Sequence, residues 1–265
     1  MPLILRLKNA LPHCAVPAYN GRMIFGKKRK REGDIEELRR EIERLRDFVL
    51  EINEESGELI DGKELDEPMV ERLKSRIDEL QHLVFHDELT QILNRRGFYN
   101  YVEPMFGEAL ASQKRDQKRK FEMGDIAIIF VDGDNFKKIN DTYGHDEGDQ
   151  VLKSIAAALG KGARSIDVVA RMGGEEFVMA LVGANEEEAH AKANQILETI
   201  RTEVKVLKNP EHLVTASAGV AALSHSDADD LDELVAYADQ AMYEAKINRG
   251  KNNVVKWSEI SEKKD

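Results

Sequence analysis

Apolar residues recur at alternating spacings of three and four along residues 35–52 (Ile35, Leu38, Ile42, Leu45, Val49, Ile52) and again along 70–84 (Val70, Leu73, Ile77, Leu80, Val84). This is the a/d seam of helices that pair with other helices. Gly57, Gly62 and Pro68 fall between the two segments and Asp66 is suited to cap the second, so two helices with a break fit better than one rod, although the heptad frame set by Ile35 still holds at Val70. Folded back as a hairpin, they could pair with a second copy in a four-helix bundle. Packing of the same helices within one chain is the competing arrangement.

From residue 85 the pattern changes. It predicts a helix near 95–115, a strand at 125–131, a helix at 146–160, strands at 166–171 and 176–182, a helix at 185–206, a strand at 213–221, a helix at 229–247 and a strand at 253–257. The run Ile126-Ala127-Ile128-Ile129-Phe130-Val131 is continuously apolar, as expected of a strand covered on both faces. Mixed elements in this order suit an α/β (α+β) sheet layered with helices. The predicted organisation is a flexible arm with a basic run over 1–33, a helical dimerising segment over 34–84, a mixed α/β domain over 85–257 and a tail over 258–265.

Composition narrows the classes. A formal net charge of −11 argues against a general nucleic-acid binder, so an anionic ligand must be drawn by local lysines and cations. The single cysteine, Cys14, precludes an internal disulfide and fits a reducing cytosol. No stretch approaches the roughly 20 apolar residues of a membrane helix, so no membrane span is expected and the expected location is the cytoplasm. The basic runs at 27–31 and 114–120 read as solvated stretches. His82 and His86, four apart on a helical pattern, could share a metal, but surface or capping roles are commoner.

Candidate chemistry gathers at two strand ends. Gly173-Gly174-Glu175-Glu176 lies between two apolar runs, which makes it a hairpin tip where glycine's freedom permits a tight turn and close approach of a phosphate. The buried strand ends in Asp132-Gly133-Asp134. A hard cation such as Mg²⁺ takes oxygen ligands at roughly 2.1 Å and usually one or two carboxylates from protein, leaving the rest to phosphate and water. Asp132 beside Glu175 and Glu176 could supply such a site, with two ions roughly 4 Å apart serving a phosphoryl displacement.

The pattern Asp132-x-Asp134-x-Phe136-Lys137-x-Ile139-Asn140-Asp141-x-x-Gly144-His145-x-x-Gly148-Asp149, followed by Gly173-Gly174-Glu175-Glu176-Phe177, resembles the GGDEF domain of bacterial diguanylate cyclases in its Gly-Gly-Glu-Glu-Phe form. Asp87-Glu88-Leu89-Thr90 and Ala238-Asp239-Gln240-Ala241-Met242-Tyr243 agree, and the resemblance covers about residues 85–257. It implies a palm-like βαββαβ core with a mostly antiparallel sheet, and condensation of two GTP into cyclic di-GMP with release of pyrophosphate. It further implies two Mg²⁺ ions per site, with Mn²⁺ able to substitute, held by Asp132, the carbonyl of Gly133, Glu175 and Glu176. Asn140 and Asp149 would read guanine, and Lys137, Lys246 and the amides around Asn135 and Phe136 would cradle phosphate. Glu175 is the expected activator of the attacking 3′ oxygen, through its metal. Because each site of this type holds one GTP, the chemistry requires a homodimer.

Two departures from the family pattern stand out. After Lys246 the chain reads Ile247-Asn248-Arg249-Gly250-Lys251-Asn252, one residue longer than usual and with lysine where arginine is expected, so either Lys251 or Arg249 takes the phosphate contact. Arg164-Ser165-Ile166-Asp167, separated from Gly173 by the five residues Val168 to Met172, resembles the family's inhibitory product site, but Gln195 stands near where a second arginine often assists. The competing class is a catalytically weak domain that senses cyclic di-GMP through Arg164 and Asp167.

Overall fold

The continuous apolar run after residue 125 becomes the middle of a sheet. The computed structural model describes Ser75, Glu79, residues 81–113 and residues 124–261, all in the second of the chain's two units, Asp66–Asp265. The expected N-terminal arm, nearly all of the a/d seam, the basic stretch at 114–120 and residues 262–265 lie outside the described residues.

Residues 81–85 are helical and lead to β1 (Leu93–Asn94), followed by α1 (Arg95–Gln113), β2 (Ile126–Gly133), α2 (Phe136–Tyr143) and α3 (His145–Gly162). Next come β3 (Val168–Gly173), β4 (Glu176–Val182), α4 (Glu186–Glu203), β5 (Lys205–Val206), β6 (Asn209–Leu213) and β7 (Ala216–Ala222). A 3₁₀ turn (Leu223–His225), α5 (Leu231–Ile247), β8 (Val254–Lys256) and the short α6 (Ser258–Ser261) complete the order. The first residues of the expected tail are therefore helical. They are anchored where the Ser258 amide donates to Glu186 at 3.2 Å.

Six strands form one sheet in the order β1-β3-β4-β2-β7-β8, antiparallel through its centre and parallel at its two edges. The period of two sorts β2 between two cores. Ala127, Ile129 and Val131 pack with α3 and α4 through Val151, Ile155, Ile196 and Ile200. Ile126, Ile128 and Phe130 pack with α1 and α5 through Phe98, Val102, Leu234 and Ala238. All eight residues of β2 are buried, which explains why its sequence does not alternate. Helix starts follow local chemistry: Asn185 and Glu188 form a reciprocal capping box on α4, and the Asp230 carboxylate accepts from the Glu233 amide on α5.

Helix α5 lies directly on β7. A Cβ at Gly219 would stand 2.1 Å from both the Ala238 carbonyl oxygen and the Met242 nitrogen, which are main-chain atoms that cannot rotate away. Gly219→Ala should therefore lower stability by about 2 kcal/mol through overpacking. Thermal or urea unfolding checks this, and an unchanged midpoint would contradict the close approach.

Candidate active site

The antiparallel register of β2 and β4 sets Asp132 opposite Glu176. A bulge between Arg171 and Gly173 shapes the β3–β4 hairpin, and Gly173 and Gly174 turn the chain at φ 144° and 59°, the left-handed region that glycine enters without strain. From the end of the neighbouring β2 the Gly133 amide donates to the Glu175 carbonyl at 3.2 Å. Asp132, Gly133, Glu175 and Glu176 thus meet at one end of the sheet.

Asp132 is buried, with only 9 % of its surface exposed. Burial is the main cause pushing its carboxyl up to about 6; a hydrogen bond and the charge of Lys246 oppose the rise, while the neighbouring Glu175 and Glu176 charges add to it. The Lys246 ammonium is paired with the Asp132 carboxylate and lies 3.4 Å from the Gly133 carbonyl oxygen. A cation is thus already drawn to two of the oxygens expected to bind metal. Among the described residues no three His, Cys, Asp or Glu side chains converge as a metal cage. A donor set of few carboxylates and one carbonyl fits an ion whose shell is completed by phosphate and water.

The cradle beside these acids is assembled by a residue to which the sequence assigned no role. Asp134, 4 % exposed, accepts hydrogen bonds from the Thr215 hydroxyl (2.8 Å), the Ser217 hydroxyl (2.8 Å) and the Asn252 amide (3.0 Å). It thereby ties the loop after α5 to the end of β2. That loop carries positive φ at Gly250, Lys251 and Asn252, and it swings the Lys251 ammonium to 2.7 Å from Asn135 Oδ1. Arg249 instead faces Glu259 at 3.2 Å and Glu244 at 3.9 Å. Of the two candidate replacements for the missing arginine, Lys251 is at the cradle and Arg249 is turned away. Asn135 itself is left-handed (φ 56°) and leads into α2, whose first amides, at Phe136 and Lys137, have no acceptor within the helix. Lys137 is exposed on that first turn.

Arg171 is the second residue without a role assigned from sequence. Its guanidinium donates to the Gly174 carbonyl at 3.0 and 2.8 Å and pairs with Asp87 at 3.0 Å. It joins the hairpin tip to the domain entrance. Burial pushes the Asp87 carboxyl up, but hydrogen bonds from the Thr90 hydroxyl and amide, with Arg171, outweigh burial and hold it below the usual range. Asp134 sits inside the quoted motif and Arg171 lies two residues before Gly173, but the partners that give them their roles, Thr215, Ser217 and Asn252 for Asp134 and Asp87 for Arg171, are remote in sequence.

Asn140 and Asp149 occupy two arms of an elbow, on α2 and α3. They meet around Gly148, where a Cβ would stand 1.9 Å from Asn140 Oδ1. That oxygen is buried and has no hydrogen-bond partner, whereas Asp149 is exposed. Arg164 and Asp167 lie before β3, at the end of the strand opposite the hairpin tip. A six-residue strand separates the two regions by roughly 20 Å. Arg164 pairs with Asp167 at 2.9 and 3.2 Å and donates to the Val182 carbonyl at 2.9 Å. Gln195 is exposed on α4. Among the described residues no helix is long and apolar enough to cross a membrane.

Residues 84–253 match the family model described as diguanylate cyclase, GGDEF domain. The chain is 40 % identical over 179 residues to the diguanylate cyclase DgcM of Escherichia coli K12, covering 67 % of this chain and 40 % of that protein. It therefore spans two fifths of that relative's length. Among solved structures it is similar to the coiled coil and GGDEF domain of DgcB from Caulobacter crescentus in complex with c-di-GMP (TM-score 0.61, 26 % identity, 71 % of this chain and 93 % of that one). It is also similar to the active GGEEF domain of a diguanylate cyclase from Vibrio cholerae (TM-score 0.53, 30 % identity, 62 % and 96 %). With its sheet order, its hairpin tip and a family match over well more than half its length, this chain belongs to the GGDEF domain family.

Proposed function

We propose that the protein is a diguanylate cyclase, condensing two GTP into cyclic di-GMP and two pyrophosphates as a homodimer with Mg²⁺ or Mn²⁺. The observation that carries this is that strand register brings Asp132, Gly133, Glu175 and Glu176 to the same end of the sheet, with Lys246 paired to Asp132 and Lys251 bonded to Asn135. Asp132, Glu175, Glu176 and the Gly133 carbonyl would hold the ions. Bound there, two divalent cations supply polarisation of the attacking 3′ oxygen and neutralisation of the leaving pyrophosphate.

The chain's own groups do the rest. Lys137, Lys246 and Lys251 are point charges for the triphosphate, and the open amides at the start of α2, with Gly173 and Gly174, let phosphate approach the backbone. Guanine presents donors on N1 and N2, which Asp149 and Asn140 Oδ1 accept. Adenine offers an acceptor at N1 and would leave a carboxylate unpaired. Each 3′ oxygen must reach the other nucleotide's α-phosphorus, so two domains meet face to face, and pairing of residues 34–84 would raise their effective concentration.

Purified protein incubated with GTP and Mg²⁺ should yield cyclic di-GMP and pyrophosphate, resolved by chromatography. No product from GTP, or equal turnover of ATP, would overturn the reading.

Product feedback belongs to the same proposal. The DgcB structure contains c-di-GMP, and the half-exposed Arg164 offers a guanidinium suited to guanine edges and phosphate, held in place by the covered carboxylate of Asp167. Cyclic di-GMP at a concentration that halves the wild-type rate should inhibit Arg164→Ala several-fold less, the loss expected for one charge-assisted contact. Equal inhibition of both proteins would remove the site.

A further inference from the structure

The β5–β6 hairpin takes no part in the main sheet; its two strands pair only with each other, and Leu207 and Leu213 are exposed at 66 % and 57 %. Yet its residues reach back some 60 positions to the elbow between α2 and α3. Glu147, on the first turn of α3 and 7 % exposed, accepts from the Leu207 amide at 2.8 Å and the Lys208 amide at 3.4 Å. The Lys208 ammonium donates to the Tyr143 carbonyl at 2.7 Å, at the last residue of α2. The Asn209 side-chain amide donates to the Tyr143 hydroxyl at 3.2 Å, and that hydroxyl lies 3.2 Å from His212 Nδ1 with the two rings edge to face.

These contacts hold both arms of the elbow from outside. The hinge between the arms is Gly144, at φ 93°. A buried carboxylate is tolerated only where its lone pairs are satisfied; here the satisfying amides come from the hairpin, and the helix N-terminus adds a favourable dipole. Across the same elbow the unpartnered, buried oxygen of Asn140 on α2 lies against Gly148 on α3, next to the exposed Asp149. Because one residue is on each helix, the angle between α2 and α3 sets the spacing of these two groups.

We propose that the β5–β6 hairpin is a brace that sets the angle of the α2–α3 elbow, with Glu147 as its central positioning residue, and that selection of guanine depends on it. This rests on Asn140 and Asp149 being the groups that read the base. Glu147 touches no substrate atom; it acts through them. A brace that slackens lets the two readers drift apart, which weakens base binding and blunts discrimination between bases that differ by one donor.

The test compares GTP with ITP, which lacks the N2 amino donor, in wild type, Glu147→Ala and Glu147→Gln. Glu147→Ala should raise KM for GTP about tenfold, the equivalent of one hydrogen bond to the base, with kcat nearly unchanged. The GTP-to-ITP ratio of kcat/KM should fall by a similar factor. Glu147→Gln keeps an acceptor oxygen for the two amides and should restore both readouts. A purely structural role would reduce the active fraction, lowering kcat and leaving KM and the ratio alone; that result, or an unchanged ratio in Glu147→Ala, overturns the brace. Should Glu147→Ala not fold, Lys208→Met loosens the same elbow from a surface position, and an unchanged ratio there overturns it equally. If wild type binds GTP without making product, the ratio is read from Kd by equilibrium dialysis of GTP and ITP. Wild type that discriminates while Glu147→Ala discriminates equally sinks the brace alone, and wild type that binds neither nucleotide sinks the base-reading assignment and the brace together.

Discussion

Asp132→Asn is expected to cut cyclic di-GMP formation by about a thousandfold, the upper range for removing one group that stabilises developing charge, while leaving the domain folded. Asp132 is the buried carboxylate at this end of the sheet, and the charges of Glu175 and Glu176 already act on it. Its titration gives a second, activity-free readout. The carboxyl is raised from 3.8 to about 6 in the fold, so the ionised form is less favourable in the native state than in the unfolded chain. The stability associated with this group is fully present below pH 3.8 and is lost as pH rises through about 6. Relative to Asp132→Asn, metal-free wild type should lose stability between those values, and the cost to Asp132→Asn of leaving Lys246 unpaired does not vary over that range. Mg²⁺ in millimolar excess should raise the unfolding temperature of wild type and leave that of the variant unmoved. Near-normal turnover by Asp132→Asn, or the same thermal response to Mg²⁺ in both proteins, would remove Asp132 from the metal site.

What the sequence made legible follows from where the burial is. The central strand is buried along its full length, so its apolar run announced it, and the strands at 176–182 and the helix at 146–160 carried comparable patterns. Helix α2 escaped detection because Phe136 and Ile139 are its only buried residues, Tyr143 is partly buried at its end, and the other five positions are polar. The β5–β6 hairpin escaped for a related reason: Lys205–Leu213 is largely exposed, with no alternation to read. It also shortened two expected elements, since the helix predicted to 206 ends at Glu203 and the strand predicted from 213 starts at Ala216. Tertiary packing, not local preference, decides such segments.

The site divides in the same way. Residues on strand ends and tight turns, Asp132, Glu175 and Glu176, could be brought together from topology, because antiparallel pairing around a two-glycine tip leaves few alternatives. Asp134 could not, because its worth lies in Thr215, Ser217 and Asn252, up to 118 positions away. The choice between Lys251 and Arg249 was equally closed to sequence, since it turns on three consecutive positive φ values and on acidic partners, Glu244 and Glu259, that draw the arginine outward.

Gly148→Ala should lower kcat/KM for GTP by about a hundredfold, the loss expected when a site built around a polar base contact has that contact displaced, without destabilising the fold. The added Cβ would meet Asn140 Oδ1 at 1.9 Å, Asn140 Cγ at 3.0 Å and the edge of Phe136 at 3.1 Å. The closest clash is with the end of a side chain, which can rotate out, so the backbone need not move. Alanine is also the better residue within a helix, by up to about 1 kcal/mol. The unfolding temperature should therefore stay level or rise, in contrast to Gly219→Ala, where the obstacles are main-chain atoms of α5. What rotates out is the base-reading amide itself. Because the substitution acts through Asn140, its effect should vanish once that side chain is gone, so Gly148→Ala combined with Asn140→Ala should be no worse than Asn140→Ala alone. Additive losses in that double-mutant cycle would mean that Gly148 matters for some other reason, and that the elbow does not hold the guanine reader.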